Sequence, residues 1–190
     1  MQTVRRVTTV CSALVLIALA AFVLSLMSGS VEMSIAELWR GLRSTDELAH
    51  ALVFELRLPR TLTAFAAGGV LALAGVLMQV LLRNPLADPF VMGVSGGAAV
   101  AALSAMLLGL GGLLIDISAT VGALATTLLV FALARGEGGW TAARLLLTGV
   151  VVAAGASAVI SMLLSLGEET QLRGMLFWLM GDLSLSSRPG

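Results

Sequence analysis

Residues 57–97 read RLPRTLTAFAAGGVLALAGVLMQVLLRNPLADPFVMGVSGG. This stretch decides the fold. Between Thr61 and Leu82 there is no charged residue in 22 positions, and at 1.5 Å per residue such a helix is about 33 Å long, enough to cross a bilayer core. An Arg-Leu-Pro-Arg entry precedes it, a polar proline turn ends it, and a glycine-rich segment opens the next apolar run.

The rest of the chain repeats that scale. Of 190 residues, 58% are hydrophobic and 12% charged, with a mean hydropathy of +1.03. A soluble domain carries roughly a quarter of its residues as charges, so the composition predicts an integral membrane protein. All eleven basic residues are Arg and the net charge is zero, which excludes a generally basic nucleic-acid binder. The one cysteine, Cys11, lies within the first apolar run and reads as a small apolar helix residue. The one histidine, His50, has no His or Cys nearby to share a metal. No cofactor is expected.

Working outward, the apolar pattern predicts an all-α polytopic protein with about five spans, at 7–27, 61–82, 90–108, 117–134 and 145–166. Residues 1–190 are read as a single membrane domain. Arg5 and Arg6 precede the first span, whose length exceeds the usual apolar core of a signal peptide. These two charges favour a cytoplasmic N-terminus, although the Arg tally over all loops does not. Residues 28–60 form the long polar, outward loop. Within it, Ser34 and Glu37 have capping-box spacing, and Ile35, Leu38, Trp39 and Leu42 share one helical face. That face suits either an interfacial helix with Trp39 at headgroup level or a packed loop helix.

In the second span, Pro59 suits a helical first turn, and Ala64, Gly68 and Ala72 form a small-residue stripe, with Ala67 and Gly75 close by. Such stripes let helices approach closely in lipid, so this helix is expected to be surrounded by others, with Gln79 tying it to a neighbour. Asn84 before Pro85 ends the helix, and Asp88-Pro89 reads as N-cap and first residue of the next. Gly93, Gly97, Ala101, Ala105 and Gly109 stripe the third span, whose glycine-rich residues 93–97 predict local unwinding. Asp116 reads as an interfacial cap of the fourth span. Gly149, Ala153, Ser157 and Ser161 stripe the fifth, and residues 172–180 read as an interfacial helix.

No enzyme constellation is present. There is no phosphate-binding GxxxxGK[ST] loop, no HExxH, and no nucleophile elbow at 93–97. The near absence of carboxylates in the spans argues against an ion-coupled pump.

RLPR followed by a small-residue span, then RNPLADP at 83–89, GVSGGA at 93–98, ARLLLTGV at 143–150 and LRGMLFWLMGDLS at 172–184 resemble the membrane permease subunits of ABC importers for iron-siderophores, haem and vitamin B12, the FecCD or BtuC-type family. The resemblance implies a homodimer or heterodimer of permeases with about ten spans each. Cytoplasmic ATPase subunits would supply ATP hydrolysis, and an extracytoplasmic binding protein would deliver a metal chelate. It further implies that Arg57 and Arg60 dock the binding protein, and that Arg83, Asn84, Pro85, Asp88 and Pro89 form a cytoplasmic turn. Gly93, Ser95, Gly96 and Gly97 form the glycine motif at a helix start. Thr141, Ala142 and Ala143 match the region that narrows the cytoplasmic exit, where several relatives carry hydroxyls instead of the two alanines. The blocks correspond to roughly the first half of such a permease, so the chain is expected not to transport alone. A gradient-driven secondary transporter and a non-transporting membrane stub are the rival expectations.

Overall fold

The structure, a computed structural model, describes residues 2–29, 31, 33–43, 46–136, 139–181 and 183. Glu32, Asp182 and residues 184–190, including the end of the last motif, lie outside them. Among the described residues the chain is helical, with one isolated β-bridge between Gly136 and Gly139. It divides within one helix into two compact units, residues 1–69 with 183–190, and residues 70–182.

The first unit holds α1 (Gln2–Met27), α2 (Ile35–Leu42), α3 (Glu47–Ala51) and the start of α4 (Leu58–Leu82). Helix α1 keeps its polar side chains quiet: the Thr8 and Thr9 hydroxyls donate to the carbonyls of Val4 and Arg5 at 3.0 and 2.8 Å. Ser34 opens α2 with the expected capping box. Asp46 caps α3 by accepting the Ala49 amide at 3.1 Å.

Helix α3 continues into α4 through a π-helical turn, Leu52–Arg57. Its cause is Pro59. In a regular α-helix Pro59 would leave the Glu55 carbonyl without a donor and press its ring against it. The wider turn, in which the Leu58 amide bonds the Val53 carbonyl, absorbs that conflict without breaking the helix. Residues 47–82 therefore form one helical run, and the helix begins well before the expected position 61. The polar segment 28–60 is largely helical rather than loop.

The second unit holds the rest of α4, a 3₁₀ turn (Pro89–Met92), α5 (Val94–Leu107), α6 (Gly112–Ala134), α7 (Ala142–Leu166) and α8 (Glu169–Met180). Among the described residues, four helical runs are long and apolar enough to cross a membrane: 4–27, 47–82, 112–134 and 142–166. The third expected span is shorter than the sequence suggests. Its 14 residues reach about 21 Å, less than a bilayer core. Gly93, at φ +69°, cuts the 3₁₀ turn from α5, and Gly109, at φ +71°, follows its last turn. The break is confined to Gly93; residues 94–97 are regular helix rather than unwound.

Short as it is, α5 is the centre of this unit. Gly97, Ala99, Ala102, Leu103 and Ala105 are buried. A Cβ on Gly97 would stand 2.6 Å from Thr126 Cβ and 2.7 Å from the Gly122 carbonyl of α6. One on Gly96 would stand 2.8 Å from Ala156 Cβ of α7. Glycine here is the contact surface that lets backbones meet. On α7 the facing residues are Gly149, Ala153 and Ala156, whereas Ser157 and Ser161 are exposed and bond back to their own helix at 3.0 Å. Met175 of α8 is fully buried against Leu103 and Leu163.

Three expectations change. Asp116 lies inside α6, which starts at Gly112 behind Gly111, so it is no cap. Ala64, Gly68 and Ala72 of α4 are exposed, and nothing lies within 4 Å of a Cβ at Gly68, Gly69 or Gly75. Gln79 is likewise exposed and makes no side-chain hydrogen bond among the described residues.

Candidate functional site

Four groups of expected site residues have defined surroundings. In the first unit, a cavity of about 220 Å³ is lined by Ser25, Ser28, Arg57, Arg60 and Thr61 among others. Arg57 is half-buried, and its guanidinium donates to the Leu26 and Met27 carbonyls at 2.8 and 2.9 Å, and to that of Val31. The last carbonyls of an α-helix lack intrahelical donors, so Arg57 closes the C-terminal end of α1 from thirty residues away in sequence. Ser25 and Thr61 share a hydrogen bond of 3.0 Å beneath it. Arg60, one turn on, is exposed and has no hydrogen bond or ion pair among the described residues.

In the second unit, residues 83–89 form the proline turn. The Arg83 amide bonds the Val80 carbonyl at 3.3 Å and the Asn84 amide bonds that of Gln79 at 3.1 Å, the pattern of a helix closed by a left-handed residue. That residue is Arg83, at φ +49°, where glycine is usual. Asn84 Oδ1 accepts the Leu86 amide at 3.0 Å, and Asp88 Oδ1 accepts the Phe90 amide at 2.8 Å with Pro89 next in line. The expected cap is thus formed, on a 3₁₀ turn instead of an α-helix. Leu86 points outward at the tip, 88% exposed. Ala87 points inward.

The third group, Thr141, Ala142 and Ala143, opens α7. Thr141 Oγ1 accepts the Arg144 amide at 3.3 Å as N-cap. Ala142 is half-buried and Ala143 exposed. The preceding Trp140 is held by its Nε1–H on the Phe131 carbonyl at 2.9 Å, with the two rings edge to face at 5.8 Å. Ala87 from the proline turn, Leu82, Ala134 and Leu145 form one buried cluster, against which Ala142 packs. The fold thus joins the proline turn and the α6–α7 connection through one small core.

The glycine motif serves this arrangement. Gly93 needs its left-handed φ, and a Cβ there would also stand 3.2 Å from the Ala153 amide. Gly96 and Gly97 meet α7 and α6. Ser95 is exposed beside an apolar hollow of about 400 Å³ between α4, α5 and α6.

A family model described as the FecCD transport family matches residues 16–188. The chain belongs to this family. Among its relatives, the vitamin B12 import system permease protein BtuC of Serratia proteamaculans is 41% identical over 85% of this chain and 47% of its own length. The BtuC protein of Citrobacter koseri is 37% identical over 90% of this chain and 50% of its own. A solved inward-facing structure, assigned to the metal-chelate type of ABC transporter, superimposes with a TM-score of 0.73 and 29% identity. It is matched over 93% of this chain and 53% of its own. The chain therefore spans about half the length of the curated relatives it matches. As a member of the FecCD transport family with four helical runs long and apolar enough to cross a membrane among the described residues, it is a multi-pass membrane protein.

Sequence reading missed what Arg57 does. Its partners are backbone carbonyls, which carry no sequence signature. It also missed the link between Trp140 and Phe131, nine residues apart across a loop. The π-turn left one signal, a proline, Pro59, inside a helix-compatible run that starts at Glu47.

Proposed function

We propose that this chain forms part of the translocation pathway of an ABC importer for a metal chelate, a cobalamin, ferric siderophore or haem, in the cytoplasmic membrane. The observation that carries the reading is the FecCD match across residues 16–188, on a fold in which the family's proline turn and the α6–α7 connection share one packed core. The names of the BtuC relatives favour a cobalamin-type substrate. Residues 1–190 belong to a single membrane domain with a cytoplasmic N-terminus. The parent permease pairs with a like subunit and works by alternating access, driven by ATP hydrolysis on separate cytoplasmic subunits.

Within that reading, Arg60 is the arginine that meets acidic groups of a binding protein, since its guanidinium is exposed and uncommitted. Arg57 sets the geometry by holding α1 against the π-turn. Electrostatic docking of this kind governs encounter rate and orientation. Thr141, Ala142 and Ala143 narrow the cytoplasmic exit with small side chains whose position is fixed by the Thr141 cap and by the proline turn. A constriction of this kind gates by size and dewetting.

Deleting the gene from its own genome tests this. Uptake of labelled cobalamin, ferric siderophore or haem should be lost for one of the three and return when the gene is restored. Unchanged uptake of all three contradicts the proposal.

A further inference from the structure

Helix α2 carries three sectors. Leu38 and Gly41 are buried, and a Cβ on Gly41 would stand 2.8 Å from the Ala49 carbonyl of α3, so this side is committed to packing. Glu37 and Arg40 occupy the polar side. Between them lies an apolar side that no described residue covers: Ile35, Trp39 and Leu42 are 72, 56 and 45% exposed. At 100° per residue these three fall within about 60° of one another, roughly a quarter-turn from the packed side. Arg43 lays its guanidinium over Trp39, 4.6 Å from the ring centroid.

The depth of this face is fixed by its attachment. Leu38 and Met33 are buried with Leu26, which belongs to the last turn of α1. Helix α1 is long and apolar enough to cross a membrane, with a mean hydropathy of 2.7 over its most apolar window, and the end of such a span lies at the boundary of the hydrocarbon. A helix pinned there meets neither bulk water nor acyl chains alone, but the interface between them. An aromatic ring with a guanidinium stacked on it is suited to that layer, because the ring takes the carbonyl region and the cation the phosphates.

We infer that α2 is an in-plane membrane anchor, its Ile35–Trp39–Leu42 face seated in the lipid headgroup layer and Arg43 held by Trp39 at the level of the phosphates. The anchor fixes the height of the arginine end of α4 relative to the bilayer. It does not depend on which substrate the protein carries or on what powers it.

The test is Trp39 fluorescence in the intact protein, obtained as the difference between wild type and Trp39→Phe, so that Trp140 and Trp178 stay in place. The protein is reconstituted into phosphatidylethanolamine–phosphatidylglycerol vesicles whose acyl chains carry bromine either near the headgroup or near the chain end. The expected result is a blue-shifted Trp39 signal, quenched more by the shallow bromines than by the deep ones and shielded from aqueous acrylamide. A water-like signal quenched by acrylamide overturns the inference. So does a shielded signal that neither lipid quenches, which would mean that protein covers this face.

Discussion

Arg57 and Arg60 sit three positions apart and have divided their work. Arg57 spends its donors on two carbonyls at the end of α1 and on that of Val31 just beyond it, and hydrogen bonds involving a charged group contribute about 1.5–3 kcal/mol each, net of the bonds to water they replace. Arg57→Ala should therefore lower thermal stability in detergent by about 2 kcal/mol or more. Arg60→Ala should leave it within about 0.5 kcal/mol, as expected of an exposed residue. Equal effects in the two variants would contradict this division. Glu37 gives a second test at this scale. Hydrogen bonds from the Ser34 amide and then the Ser34 hydroxyl hold its carboxyl below the ordinary glutamate value of 4.5. A depressed folded value means that the capping box stabilises α2 fully above the ordinary value and loses that contribution as pH falls through the folded one. The protection of amides 34–42 relative to their intrinsic exchange rates should fall across that acid window in the wild type. In Glu37→Gln, whose amide can still serve the capping box, that fall in protection should be absent.

At the scale of elements, two helices with small-residue stripes fare differently, and the sequence could not separate them. The stripe of α5 is clasped by α6 and α7 at Gly96 and Gly97, while the stripe of α4 at Gly68 faces open space in this chain. Spacing shows that a helix can be approached closely; it does not show whether a neighbour arrives. Gly97→Ala should destabilise by about 1–3 kcal/mol through overpacking. Gly68→Ala should be neutral or stabilising by up to about 1 kcal/mol from helix propensity. Thermal unfolding of both variants checks the contrast, and a destabilising Gly68→Ala would reveal a neighbour for α4. The turn at 83–89 was the most legible element, because Asn84, Asp88 and Pro89 act through local backbone bonds that spacing predicts. The start of α4 was less so. Pro59 looked like a first-turn residue, yet the π-turn carries the helix through it. Likewise α5 was read as a full span because periodicity ignores the left-handed glycine that shortens it.

At the scale of the whole molecule, the fold class and family were legible from apolar run lengths and from the RNPLADP and GVSGGA blocks. The substrate was not, because the motif blocks carry no charged or metal-ligating side-chain set whose chemistry points to one ligand. The central claim is that this FecCD protein serves an importer driven by ATP on a partner subunit. Among the described residues, the four long apolar helical runs hold no buried carboxylate through which an ion gradient could be coupled. The most direct measurement is the energy source of the uptake that depends on this gene, in cells where ATP is depleted by arsenate or the proton gradient is collapsed by a protonophore while ATP is maintained. Arsenate should abolish this uptake and the protonophore should leave it standing. Uptake that survives arsenate and collapses with the gradient would contradict the central claim.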